Sequence, residues 1–344
     1  MGKANKILLP ILSSWLDLDG DDSDVVMSSR VRIARNLEAV KFPIAGEDEL
    51  LPERVKGILD ADYMLMKMSD LSLLERALLV EKHLISPYLM NKSKFGAVLI
   101  NEAENSSVMI NEEDHLRIQC MEPGLRLFDA LERAMYIESE IENEVPFAFN
   151  PELGFLTSCV TNVGTGLRAS VMVHLPGLVL TKRFNKMAEA IRSVGFVVRG
   201  IYGEGSNSLG HIFQISNQVT LGKTEEEIVM DLTQMMEQVI MQERVCRTHL
   251  KQKFHITLED RVFRSFGLLK HARILTMLES LNAISDLHLG MELGVFEHIT
   301  RQKINELILF SKPAFLRRAA GQDMLELEEK VIRASVIRDI LQDV

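Results

Sequence analysis

The 344-residue sequence predicts an α+β fold: an antiparallel sheet flanked by helices, followed by an all-helical C-terminal region. Three observations carry this. Between residues 24 and 245 the strand-like segments come largely as neighbours with helices set aside, the order of an antiparallel sheet rather than a βαβ winding. Two strand-like runs are joined by the acidic turn Glu112, Glu113, Asp114, as in a meander. From about His255 onward the apolar pattern is helical almost throughout. The expected division is residues 1–250 as one domain and residues 255–344 as a helical second.

The elements follow in order. Val25 to Ile33 is rich in β-branched residues and reads as the first strand, with Arg30 and Arg32 two apart and hence on one face. Ser72 to Leu84 reads as helix, Phe95 to Ile100 as strand, and Ser107 to Asn111 and His115 to Cys120 as the paired strands of the meander. Leu125 to Glu142 and Met187 to Val194 are helical, the second ended by Gly195. Strands are expected at Arg168 to His174, Phe196 to Tyr202 and His211 to Ser216. Thr224 can cap a long helix while Glu227 reaches back to complete a capping box, with Ile228, Leu232, Met235 and Val239 as the buried face. Later stripes are Ile274, Met277, Leu278, Leu281 and Ile304, Leu307, Ile308. Met64, Met66, Met68, Met235 and Met236 read as core filler.

Composition excludes several classes. A chain that is 47% hydrophobic and 26% charged is globular, with length enough for two domains. The net charge of -10 argues against a nucleic-acid surface, because Lys and Arg are scattered among more numerous acids. No apolar window reaches membrane-spanning length, and the N-terminal ILLPILSSWL, broken by Pro10 and followed by acids, reads as mature protein rather than a signal. Three cysteines, Cys120, Cys159 and Cys246, without metal-ligand spacing fit a reducing cytoplasm.

The segment Ser158 to Ser170, SCVTNVGTGLRAS, is the most informative. Gly164 and Gly166 allow a tight path with amides turned toward an anion, flanked by Cys159 and Arg168. Its spacing is neither that of a P-loop nor of a dinucleotide fingerprint. Arginines recur at strand positions, Arg30, Arg32, Arg117, Arg168 and Arg199; five planar cations suit a triphosphate. Acids stand at Glu112, Glu113 and Asp114 and at Glu204. Opposed carboxylates can fix the plane of a guanidinium acceptor and take its proton.

Taken together, SSRVRIARN (28–36), NEEDHLRIQ (111–119), CVTNVGTGLRAS (159–170), RGIYGEGS (199–206) and ISNQVTLGKTEEE (215–227) resemble the ordered motifs of the phosphagen (guanidino) kinases, most closely the bacterial McsB branch of protein-arginine kinases. The first motif starts at Ser28, leaving no room for the small N-terminal domain that reads free guanidino metabolites, and the helices after His255 are an addition. The resemblance implies a kinase with ATP and Mg2+ that phosphorylates arginine side chains of proteins. It makes 1–250 the phosphagen-kinase-like catalytic domain, and 255–344 a domain for substrate binding and dimerisation.

The resemblance implies nucleotide contacts from Ser28, Ser29, Arg30, Val31 and Arg32, from His83 and Arg117, from Arg168, Ala169, Ser170, Val171 and Met172, and from Arg199, Gly200, Ile201, Tyr202, Gly203 and Glu204. Glu113 and Glu204 match the acids that hold and deprotonate the guanidinium, Cys159 the active-site thiolate, and Glu112 a carboxylate reaching the metal through water. The RDxxRA element of that branch, which reads phosphoarginine, aligns with Glu329 to Ala334, where the leading Arg and Asp are replaced. Expected partners are protein substrates with exposed arginines, a zinc-finger activator, a Clp-type chaperone ATPase and a stress-gene repressor, in a cytoplasmic stress response, with homodimers formed through the C-terminal helices. The alternatives are a kinase for a small guanidino metabolite and a catalytically silent adaptor for a Clp-type chaperone.

Overall fold

The computed structural model describes residues 7–8, 11–92, 94–200, 209–321 and 324–344. An eight-stranded antiparallel sheet organises them. Its strands are β1 Val26–Arg35, β2 Met64–Lys67, β3 Ala97–Ile100, β4 Ser106–Ile110, β5 Leu116–Pro123, β8 Leu167–His174, β9 Phe196–Gly200 and β10 Ile212–Asn217, in the order β2-β3-β4-β5-β1-β8-β10-β9. The strands β6 Phe149–Asn150 and β7 Gly154–Phe155 form a separate hairpin. The meander is β3-β4-β5, and β1 sits between β5 and β8.

The two faces of this sheet differ in chemistry because side chains alternate along each strand. Val31, Ile33, Leu116, Ile118, Leu167, Ala169, Val171 and Ile215 point to one face, where helices Leu127–Glu142 and Glu225–Lys253 close an apolar core. The long helix starts as its sequence dictates: the Thr224 hydroxyl accepts from Glu227 N–H and the Glu227 carboxylate accepts from Thr224 N–H. Its buried stripe is Ile228, Leu232, Met236 and Val239; Met235 is only partly covered. Ser72 caps Leu73–Glu81 by the same reciprocal box with Glu75.

C-terminal helices approach the other face. Leu309, Ala314 and Phe315 share an apolar cluster with Trp15, Leu78, Val98, Met109 and Met121. Ile212 of β10 packs with Leu281, Ile284, Leu287 and Ile304. The stripe Ile274, Met277, Leu278, Leu281 is only half right: Leu281 is buried and Met277 partly so, whereas Ile274 and Leu278 are exposed. The helix begins at Met277 behind the capping box Thr276/Glu279, which leaves Ile274 outside it, and its buried stripe continues from Leu281 through Ile284 and Leu287. Ile304, Leu307 and Ile308 are buried. No helix among the described residues is long and apolar enough to cross a membrane.

Candidate functional site

Strand register places the strand arginines on the sheet face opposite the apolar core. Arg32 lies across from Arg168 on β8 and Gln119 on β5, and Arg30 lies across from Ser170. Arg117 is two residues from Gln119, and Gln214 of β10 pairs with Met172 on one side and Arg199 on the other. Five guanidinium groups therefore project from β5, β1, β8 and β9 toward one side.

Their partners hold them without neutralising most of them. Arg30 donates to Ser170 Oγ (3.3 Å) and Gln214 Oε1 (3.0 Å), and Arg168 donates to Ser216 Oγ (3.2 Å). The Nε groups of Arg32 and Arg168 are buried with no hydrogen-bond partner. Burial, then the charges of Arg168 and Arg117, pushes Arg30 down to about 10. Arg32 is held well below its ordinary value by burial, then by Arg30, Arg117 and Arg168, with Glu112 opposing. Arg168 is lowered by burial and by Arg199 and Arg117. These guanidiniums stay protonated at neutral pH, so the strain of like charges is relieved by an anion rather than by proton loss. An orphaned buried donor flanked by like charges is the fit expected of a polyphosphate site.

Arg117 differs. It is clamped by Glu112 Oε1 (2.7 Å) and Glu113 Oε2 (3.1 Å). Glu112 also accepts from Ser86 Oγ and, through Oε2, from Glu113 N–H (2.8 Å). The Glu113 side chain is 41% exposed while that of Glu112 is 1% exposed, so Glu113 is the acid a large substrate can reach.

The same turn organises the cysteine segment through its third acid, to which the sequence assigned no separate role. Asp114 Oδ1 accepts from Asn36 Nδ2 and from Ser158 N–H, each at 2.6 Å, which ties the acidic turn to the residue before Cys159. Cys159 is half-buried, with its sulfur 3.0 Å from Thr161 Oγ1. Cys120 is buried among apolar groups, which pushes its thiol far up, and Cys246 is buried too.

The glycines do a different job from the one expected. A Cβ on Gly164 would meet Thr220 O at 2.3 Å, and one on Gly166 would meet Ala34 O at 2.6 Å. Gly164 N–H and Thr165 N–H donate to Phe155 O and Thr220 O. These amides are spent inside the protein; the glycines let the loop press against its neighbours, and the anion-facing donors are arginines.

His83 sits with φ 61° in the left-handed region, its carbonyl accepting from Gln119 Nε2 (2.8 Å). Burial, Lys312 and Arg30 keep its imidazole neutral, well below the ordinary value. It lines a cavity of about 390 Å³ that Arg30 and Arg32 enter from the sheet. Ser28 and Met172 lie on the arginine side, whereas Ser29, Val31, Ala169 and Val171 direct their side chains to the helix-covered side. Arg199 is exposed at the sheet edge and Gly200 closes its strand. Ile201, Tyr202, Gly203 and Glu204 lie outside the described residues. Ser86, Gln214 and Ser216, missed in the sequence, carry a legible signal: Gln214 and Ser216 alternate with apolar Phe213 and Ile215.

Comparisons with known proteins identify the family. The profile of the ATP:guanido phosphotransferase C-terminal catalytic domain matches residues 53–246, and that of the protein-arginine kinase McsB C-terminal domain matches residues 255–344. The chain is 67% identical over 334 residues to a protein-arginine kinase of Listeria welshimeri serovar 6b, covering 97% of this chain and 98% of the relative. It is 48% identical over 341 residues to one of Geobacillus stearothermophilus, covering 96% and 94%. Among solved structures it resembles lombricine kinase (TM-score 0.56, 25% identity, 69% of this chain and 70% of that one). It also resembles the duplicated taurocyamine kinase of Schistosoma mansoni (TM-score 0.56, 27% identity, 68% and 35%).

Proposed function

This chain belongs to the ATP:guanido phosphotransferase family, and we propose that it is a protein-arginine kinase whose arginine-bearing sheet face holds the phosphates of ATP. The observation that carries the reading is the group of buried, mutually repelling guanidiniums, Arg30, Arg32 and Arg168, with two orphaned Nε donors.

The chemistry follows from the side chains. Arg30, Arg32, Arg168 and Arg199 hold the triphosphate and meet the charge that gathers on the transferring group in a loose transition state. A substrate guanidinium has to give up a proton as its nitrogen attacks the γ-phosphorus. Glu113, exposed at the rim and fixed through Arg117, orients that group and accepts the proton. In this reading the resemblance makes Glu204 the second acid and Cys159 the active-site cysteine. A P–N bond forms, the bond from the γ-phosphorus to the β-bridging oxygen breaks, and ADP leaves. Magnesium would be brought by the nucleotide and would offset the charge of its phosphates. Among the described residues no acidic or histidine cluster could hold it alone, and Glu112, its oxygens occupied by Ser86, Arg117 and its own turn, would act on it only through water.

The kinase reading carries with it a cytoplasmic setting, a stress-response role and the expected activator, chaperone ATPase, repressor and homodimer. The test is direct. Incubation with ATP and an unfolded arginine-rich protein yields acid-labile phosphate on arginine, whereas free arginine yields little. The reverse preference identifies a small-metabolite kinase, and no product with either identifies an adaptor.

A further inference from the structure

The cavity beside Arg30 and Arg32 is not built from the sheet alone. Its far wall comes from the C-terminal helical region: Met277 at the start of helix Met277–Glu292, and Lys312 and Pro313 at the start of helix Pro313–Ala320. Lys312 is 3% exposed. Its ammonium donates to Glu81 O at 2.8 Å and lies 3.5 Å from His83 Nε2. An ammonium has only donors, so the nitrogen it faces presents its lone pair, which leaves the His83 proton on Nδ1. The helix behind Lys312 is anchored to the same segment, since the Glu81 carboxylate accepts from Ala314 N–H (2.9 Å) and Phe315 N–H (3.3 Å). The cavity is thus lined by the cationic Arg30 and Arg32 and by apolar Val80, Ile85 and Met109, a mixture that suits the phosphates and the nucleoside of one ligand.

We propose that Lys312 is a nucleotide-site residue supplied by the C-terminal helical region, which fixes the His83 tautomer and closes the far wall of the ATP pocket. The inference rests on the kinase reading above. It makes docking of helix Pro313–Ala320 and nucleotide binding a single coupled equilibrium, because a ligand that binds the closed wall stabilises that wall.

Calorimetric titration of ADP into the full-length protein, Lys312→Met and Lys312→Arg tests it. Lys312→Met should weaken ADP binding about tenfold, the scale for losing one charge-assisted contact. KM for ATP should rise in proportion, KM for the protein substrate should hold, and Lys312→Arg should recover most of the loss. Hydrogen exchange on the unmutated protein gives an independent measure: saturating ADP should slow exchange at Ala314 and Phe315. Unchanged ADP affinity in a folded Lys312→Met protein, or no ADP effect on those two amides, overturns the proposal while leaving the kinase reading intact. If the unmutated protein binds no ADP, the kinase reading falls and takes this one with it.

Discussion

Arg32 and Arg35 lie three residues apart on one strand and occupy opposite worlds. On the helix-covered side Arg35 is fully buried and paired with a carboxylate: Nε to Glu138 Oε1 at 2.6 Å, Nη1 to the carbonyls of Ala34 and Thr165, and its plane 3.4 Å over the Phe155 ring, while its Nη2 has no hydrogen-bond partner and lies 4.0 Å from Glu225 Oε1. Arg247 in the long helix is held likewise by Glu243, Asp24 O and His174 O. On the other side Arg30, Arg32 and Arg168 meet hydroxyls, an amide and one another. A buried cation with a carboxylate belongs to the fold. Buried cations left with each other belong to a ligand, because only something outside the chain offsets their desolvation.

The sharpest test exchanges these roles. Arg35→Ala leaves Glu138 buried without its cation and should cost about 3–5 kcal/mol of stability, read by denaturant unfolding, with activity falling only as the folded population falls. Arg32→Ala should leave Tm unchanged or raised, since it removes repulsion, while phosphoryl transfer drops by at least about 10²–10³-fold. If Arg32→Ala unfolds the protein instead, the distinction between the two faces is wrong.

Glu113→Gln probes the boundary between the two kinds of charge, because Glu113 both pairs with Arg117 and stands open to solvent. As a proton acceptor it should lower kcat by about 10²–10⁴-fold with Tm nearly unmoved. A variant with full kcat would reduce it to a brace for Arg117.

How much of this could be read from the chain depends on the distance over which each contact acts. The alternation of Arg30 and Arg32 declares a shared face from two residues' spacing, and Thr224/Glu227 declares a helix start from three. The same alternation puts Arg35 on the face opposite Arg32, but nothing local says that it is paired there, because its carboxylate partner, Glu138, is 103 residues away. Lys312 and Met277 reach the cavity from beyond residue 255, where the sequence reads only as amphipathic helix. The misread stripe at Ile274 had a local remedy, the Thr276/Glu279 capping box, which sets the helix start and leaves Ile274 outside it.

A third kind of buried group extends the comparison to pH. His174 Nε2 and His211 Nδ1 converge on Ser285 Oγ at 2.7 and 2.8 Å, and the His174 ring stacks on His288 at 4.3 Å. Burial lowers all three; His288, Arg247 and His211 lower His174 further, whereas Glu292 opposes the shift at His288 and Asp286 at His211. A lowered histidine is neutral in the folded chain while the unfolded chain takes up a proton. The stability they contribute is therefore complete above the unfolded value near 6.5 and drains as pH falls below it, at up to about 1.4 kcal/mol per pH unit for each group. Unfolding midpoints measured from pH 7.5 to 5.5 should fall, and His174→Gln should flatten that slope. A flat wild-type profile would mean that these rings take up protons without opening the fold.

The smallest effect is expected where a contact looks as good as any of these. Lys67 Nζ and Glu53 Oε1 are 2.9 Å apart, closer than Arg117 and Glu113, yet their side chains are 41% and 60% exposed. Water screens the pair and both side chains lose freedom to form it, so its net worth approaches zero. Lys67→Met should leave Tm within error of the parent at low salt and at high salt alike. A clear loss that vanishes in salt would show that distance can outrank burial, and the argument separating Arg32 from Arg35 would then need a second variable.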